Sequence, residues 1–183
     1  RLFSNNNQSI GFNGGLKYYR TATDQLLGNN AQRVVGENGV YFVGGIFAKF
    51  DSKSHKEFAE SGFYSDLKLR YIRPLASKFF ESQDNVNSFN FDWKFLKLFK
   101  LTGNFSVGLS GNIGLLFGEP TPPYTYFLGG NNQNFINNFK PFEGLAYAER
   151  FGNNLISSSL YGQIRPFNNQ FARLGVNFAM LSN

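Results

Sequence analysis

Apolar and polar positions alternate with a period of two through most of the chain. From Leu101 one face reads Leu101, Gly103, Phe105, Val107, Leu109, Gly111, Ile113, Leu115 and Phe117. The opposite face reads Thr102, Asn104, Ser106, Gly108, Ser110, Asn112, Gly114 and Leu116. Successive side chains of a strand point to opposite sides, so this segment has one oily and one polar surface. It is also long. Soluble strands run about five or six residues, whereas a tilted membrane strand needs about 9–11 in the hydrocarbon alone. The pattern recurs. Phe63, Ser65, Leu67, Leu69 and Tyr71 oppose Tyr64, Asp66, Lys68 and Arg70, and Phe89, Phe91, Trp93 and Phe95 oppose Asn90, Asp92 and Lys94. Ile156, Ser158, Leu160, Gly162 and Ile164 oppose Tyr161, Gln163 and Arg165, and Ala172, Leu174, Val176, Phe178 and Met180 oppose Arg173, Gly175 and Asn177. Two earlier stripes, Ile10, Phe12, Leu16 and Tyr18, then Val40, Phe42, Ile46 and Phe50, bring the count to about seven strands.

A soluble sandwich also alternates. Three features favour a membrane barrel instead. The strands are long, charges sit mid-strand on the polar face as in a wet lumen, and Gly is frequent inside strands. Gly normally weakens a sheet but eases the bending of a closed barrel. The fold expected is all-β, an antiparallel transmembrane β-barrel, with residues 1–183 forming part of that single barrel.

The connections orient it. Barrels have short periplasmic turns and longer outer loops. The links near 97–100 and 166–170 are short and that over 119–153 is long, which places the last outside. Alternation then puts the links near 21–38 and 74–85 outside and that near 52–60 on the periplasmic side. The first and seventh strands both run outward in this scheme. A bacterial single-chain barrel has an even strand number, so at least one strand is expected after Asn183.

Composition supports the pattern. The chain is 42% hydrophobic with a mean hydropathy of −0.30, and it carries 23 Phe, 9 Tyr and 20 Gly. No run approaches the roughly 18–20 apolar residues of a spanning helix. Aromatic girdles with only alternate residues facing lipid give this balance. There is no Cys, as suits an oxidising compartment. The net charge is +6. The basic residues do not cluster as a nucleic-acid-reading element would require, so no nucleic-acid partner is expected. The chain begins at Arg1 with neither Met nor a signal peptide, as a processed chain or a fragment does.

Reactive chemistry is not evident. The only His, His55, falls in a polar turn, and without Cys or a second His no metal set other than carboxylates can form. The glycine pairs Gly14-Gly15 and Gly44-Gly45 lie inside strands, unlike a phosphate loop before a helix. No catalytic residue, metal or cofactor is expected.

The long link reads Pro122-Pro123-Tyr124-Thr125-Tyr126-Phe127-Leu128-Gly129-Gly130, then Asn134-Phe135, then Asn137-Asn138-Phe139-Lys140-Pro141-Phe142-Glu143-Gly144-Leu145. Glu149, Phe151-Gly152-Asn153-Asn154-Leu155 and a strand ending Gly175-Val176-Asn177-Phe178-Ala179 follow. Over about 122–179 this resembles the C-terminal barrel of patatin-like phospholipases from Bacteroidetes-type bacteria. Their Phe/Leu-Gly-Gly, Asn-Phe-x-Pro-Phe-x-Gly and Asn-Tyr/Phe-Ala segments come in the same order. That barrel is similar to the surface-antigen superfamily, with its barrel-assembly factors and two-partner secretion transporters. There the sixth outer loop folds into the lumen and an Arg of a Leu-Gly-Gly-x-x-x-Val-Arg-Gly-Tyr type motif pairs with an internal acid. Leu128-Gly129-Gly130 fits the opening. The Val-Arg-Gly core is replaced by Asn137-Asn138-Phe139-Lys140-Pro141-Phe142, which leaves Lys140 as the candidate cation.

The resemblance implies sixteen strands, of which those here would be about the seventh to thirteenth. It also implies a loop motif of Phe127, Leu128, Gly129, Gly130, Asn134, Phe139, Lys140, Pro141, Phe142 and Gly144. The residues themselves point the same way. Phe127, Phe135, Phe139 and Phe142 are too apolar for a freely solvated loop, so the 119–153 loop is expected to fold into the lumen. Glu143 or Glu149 would pair there with Arg165 or Arg173. A patatin lipase needs Gly-x-Ser-x-Gly and an Asp-Gly pair. Gly108-Leu109-Ser110-Gly111-Asn112 only grazes the first, no Asp precedes a Gly, and Ser110 reads as a lumen-facing residue.

The function expected is anchor or translocator of a lipolytic protein whose catalytic domain lies upstream. The alternative is the barrel of an outer-membrane assembly factor, a transporter or a porin. The partners expected are outer-membrane lipid, the remainder of the barrel and other outer-membrane proteins, in the outer membrane of a Gram-negative bacterium.

Overall fold

A computed structural model describes residues 3–4, 7–19, 39–54, 59–77, 87–118, 124–130, 138–142, 144–146, 149–167 and 170–182. Each alternating segment is a strand: β2 (Gln8–Tyr19), β3 (Gly39–Asp51), β4 (Gly62–Ser77), β5 (Ser88–Lys100), β6 (Phe105–Gly118), β10 (Asn154–Phe167) and β11 (Gln170–Ser182). A two-residue strand β1 (Phe3–Ser4) pairs with β2. Three short strands, β7 (Tyr126–Leu128), β8 (Phe139–Lys140) and β9 (Arg150–Gly152), belong to the long loop. The large sheet has the order β1-β2-β3-β4-β5-β6-β10-β11, antiparallel throughout. The small one has the order β8-β7-β9. The seven long strands of 12–16 residues match the expected number and exceed the crossing length of about 9–11. Among the described residues no strand pairs with the outer edge of β1 or of β11, so the sheet is an open wall segment.

The two faces separate as the alternation predicts. Phe12, Leu16, Ile46, Phe89, Leu109, Leu160, Leu174 and Phe178 are all exposed on one face. The other buries Arg70, Asn90, Asp92, Ser106, Ser157 and Gln163. Leu109 is 41% exposed and Ser106 only 3%, an inversion of soluble-protein order that fits a wall whose outer solvent is hydrocarbon.

Two local details depart from the expected strands. The β5–β6 link lies at 101–104, not 97–100. Lys97 and Phe99 continue the outward stripe, and the turn falls on Thr102-Gly103-Asn104. The Leu101 and Thr102 amides donate to the Phe105 carbonyl (3.0 and 3.1 Å), and the Phe105 amide donates to Thr102 Oγ1 (3.2 Å). The stripe read from Leu101 therefore starts four residues early, because alternation runs on through a tight hairpin. In β4, Val40 pairs with Ala76 but Tyr41 with Pro74, leaving Leu75 as a bulge. A proline cannot donate to the ladder, and a bulge accommodates it.

His55 and the links at 21–38 and 78–86 lie outside the described residues. The described parts of the β3–β4 link fold under the inner face at one end, where Ala59 packs with Leu98, Tyr161 and Leu96. At the other end the long loop covers the same face.

Candidate functional site

The polar face of β5 presents Asn90 and Asp92, and the long loop comes down on both. Asp92 Oδ2 accepts from Arg70 Nη2 of β4 at 3.0 Å, and Asp92 Oδ1 accepts from Lys140 Nζ of β8 at 2.8 Å. The register makes this possible. Asp92 lies opposite Lys68 and Asn90 opposite Arg70, so Arg70 reaches Asp92 as a diagonal neighbour. All three groups are buried. Removing the carboxylate would leave both buried cations without a partner, which is costly, so the triad acts as a stringent latch between loop and wall.

The loop's backbone brings Lys140 there. β7 runs parallel to β8 and antiparallel to β9. The Phe127 amide donates to the Asn138 carbonyl, that of Gly129 to Lys140, and that of Gly130 to Leu145 (3.0, 3.1 and 3.1 Å). Gly129 and Gly130 hold φ of 131° and 80°, a region L side chains rarely adopt, so this pair cannot be replaced cheaply. Pro141 follows Lys140, and Phe142 donates back to the Gly130 carbonyl at 3.2 Å. Gly144, at φ 96°, completes the return.

Tyr126 is the loop's other anchor and is wholly buried. Its hydroxyl accepts from Asn90 Nδ2 (2.5 Å) and donates to the Phe91 carbonyl (3.1 Å). Its ring occupies the space a side chain at Gly114 would need, since a Cβ there would lie 2.3 Å from the ring. Burial, and then the charge of Asp92, push the Tyr126 phenol well above its usual range, so it stays neutral and able to donate. The Lys140 ammonium lies 5.8 Å from the ring centroid. Leu128 packs with Tyr126 and Leu155, flanked by Phe142 and Leu145. Phe127 stacks on Phe139 at 4.6 Å, with Phe151 beyond at 6.3 Å. Tyr124 meets Tyr41 edge-on in a second cluster with Val43, Ile72 and Leu116.

The structure thus brings Phe127, Leu128, Gly129, Gly130, Phe139, Lys140, Pro141, Phe142 and Gly144 into one folded unit against the sheet. Asn134 and Glu143 lie outside the described residues. The expected charge partners are corrected. Glu149 is exposed and its carboxylate accepts from the Ala146 amide at 2.7 Å. Arg165 pairs with Glu60 of the β3–β4 link at 2.7 Å, and Lys100 pairs with the same carboxylate. Arg173 donates to Gln163 Oε1 at 3.0 Å and lies over the Tyr161 ring at 4.2 Å. The reason is distance along the strand. Arg165 and Arg173 sit where β10 and β11 meet the turn end of the wall, remote from the loop. Asp92, Arg70, Asn90 and Glu60 were not singled out from the sequence. An acid in mid-span was the available signal, because a charge at that depth implies a partner.

These contacts hold parts together and contain no nucleophile with a neighbouring base. A family comparison decides the larger setting: the family model of the OMP85 superfamily matches residues 2–183. The chain belongs to the OMP85 superfamily. No curated protein and no solved structure matches the chain. As an OMP85 chain, its sheet of seven long strands is a segment of a bacterial outer-membrane β-barrel, and the exposed apolar face is the lipid side of that wall. The sequence resemblance to the surface-antigen superfamily is supported at this level.

Proposed function

We propose that this OMP85 segment serves as membrane anchor and translocator of a patatin-like lipolytic protein, with the 119–153 loop folded into the lumen as an internal brace. The observation carrying the reading is the Lys140–Asp92–Arg70 latch at the point where the resemblance leaves Lys140 as the cation. A loop that spends a buried ion pair (2.8 Å) and a buried tyrosine on the polar face of the wall acts as part of the barrel. The ordered Leu-Gly-Gly and Asn-Phe-Lys-Pro-Phe-x-Gly segments, within the same folded unit, support the patatin-like relation.

The test uses the full-length protein from native outer membranes, treated with a fluorophosphonate that labels activated serines. Labelling of a domain on the same polypeptide as these strands is the expected result. An intact barrel without any labelled domain would overturn the lipolytic reading, and single-channel conductance of that protein would then favour a transporter or porin.

A further inference from the structure

The inner face carries a cation that the latches leave unused. Lys94 lies mid-strand on β5, in a row that runs Lys49, Asp66, Lys94, Asn112 and Ser157 across β3, β4, β5, β6 and β10. This row lies between the Asp92 row held by the loop and the Leu98 row held by Ala59. Lys94 is exposed on this face, and among the described residues it makes no hydrogen bond or ion pair. Its cross-strand neighbour Asp66 is engaged by Lys68 at 3.0 Å and by the Tyr64 hydroxyl at 3.4 Å. Its other electrostatic neighbours are Lys140, Lys53 and Lys68. Among the described residues around it stand Lys49, Lys53, Lys68, Arg70, Lys94 and Lys140 with the carboxylates Asp51, Asp66 and Asp92, six cations to three carboxylates. Beside Lys94, Asn112 Nδ2 donates to Ser157 Oγ at 3.2 Å, which leaves the Ser157 hydroxyl proton to donate elsewhere.

We propose that Lys94, with the Asn112–Ser157 pair on its row, is an oxyanion-binding station on the inner wall that takes a phosphate-class group. An ionisable side chain at membrane depth is a site candidate when nothing neutralises it. Excess positive charge between low-dielectric walls concentrates anions. The donors suit the ligand: an ammonium is a point charge with three donors that binds phosphate without the planar fork a carboxylate prefers, and a serine hydroxyl supplies a further donor from the next strands. The proposal rests on the reading of this face as lumen.

The test is calorimetric titration of the folded full-length protein in detergent. One arm uses inorganic phosphate and the other dihexanoyl-phosphatidylglycerol below its micelle concentration. Saturable binding is expected, weakened by roughly tenfold or more in Lys94→Met, since a charged hydrogen bond contributes about that much. Lys94→Arg should retain it, and Lys97→Met, on the outward stripe, should change nothing. Binding in both arms marks a headgroup site, and binding of phosphate alone marks a free-anion site. No saturable binding in either arm, or binding that Lys94→Met leaves intact, overturns the proposal. The facing of the wall is checked separately by the Leu109 and Ser110 pair below, so a correctly faced barrel that ignores both probes sinks this inference alone.

Discussion

At the scale of single residues, the wall and loop meet through a few groups whose removal should have unequal effects. Lys140→Met takes away one of two cations on Asp92 and leaves the Arg70 pair intact. Asp92→Asn leaves two buried cations without their carboxylate, and breaking a buried pair in this way costs about 3–5 kcal/mol. Asp92→Asn should therefore release the loop and lower barrel stability, whereas Lys140→Met should mainly release the loop. Limited proteolysis read with urea unfolding separates the two; equal effects on both readouts would contradict the latch. Gly114→Val makes a second check, because its side chain must displace the Tyr126 ring and stands opposite Asp92 on the same face, so it strikes both anchors of the loop at once. It should expose the loop to protease as Asp92→Asn does. Half of this latch was legible: Lys140 stood out because it occupies the place of a motif cation. Asp92, 48 residues upstream, did not. Only the folded register reveals which mid-strand acid lies under which loop residue.

At the scale of elements, periodicity carried nearly everything. It identified seven strands and their outward faces because lipid on one side and water or protein on the other impose opposite polarities on successive residues. It did not mark where β5 ends, since Leu101 and Gly103 extend the pattern into a turn made by Thr102 and Asn104. Nor could it show that the β3–β4 link folds back to seat Glu60 between Lys100 and Arg165. The face assignment has a direct test. Leu109→Arg places a cation against mid-bilayer hydrocarbon and should cost roughly 2–4 kcal/mol on folding into lipid vesicles. Ser110→Arg, one residue on, points to the inner face and should cost much less. Equal penalties would mean the faces are wrongly assigned.

At the scale of the whole molecule, the open edges decide what the segment can do by itself. The outer edge of β11 carries a long row of backbone donors and acceptors with no described partner, beside Leu174, Val176, Phe178 and Met180, which are all exposed. In water such an edge recruits other strands. In hydrocarbon each unpaired group costs several kcal/mol, so a spanning sheet persists only when closed. The loop cannot substitute for closure, because its small sheet packs on the inner face and pairs with neither edge. Residues 1–183 expressed alone and refolded into detergent or lipid should therefore fail to give a compact, heat-modifiable band on cold gel electrophoresis. Supplying the remaining strands of the natural polypeptide should restore it and, with it, protection of the described loop residues from protease added outside. A heat-modifiable band from 1–183 alone would show that these strands close upon themselves, and the wall-segment reading would have to give way to a small complete barrel.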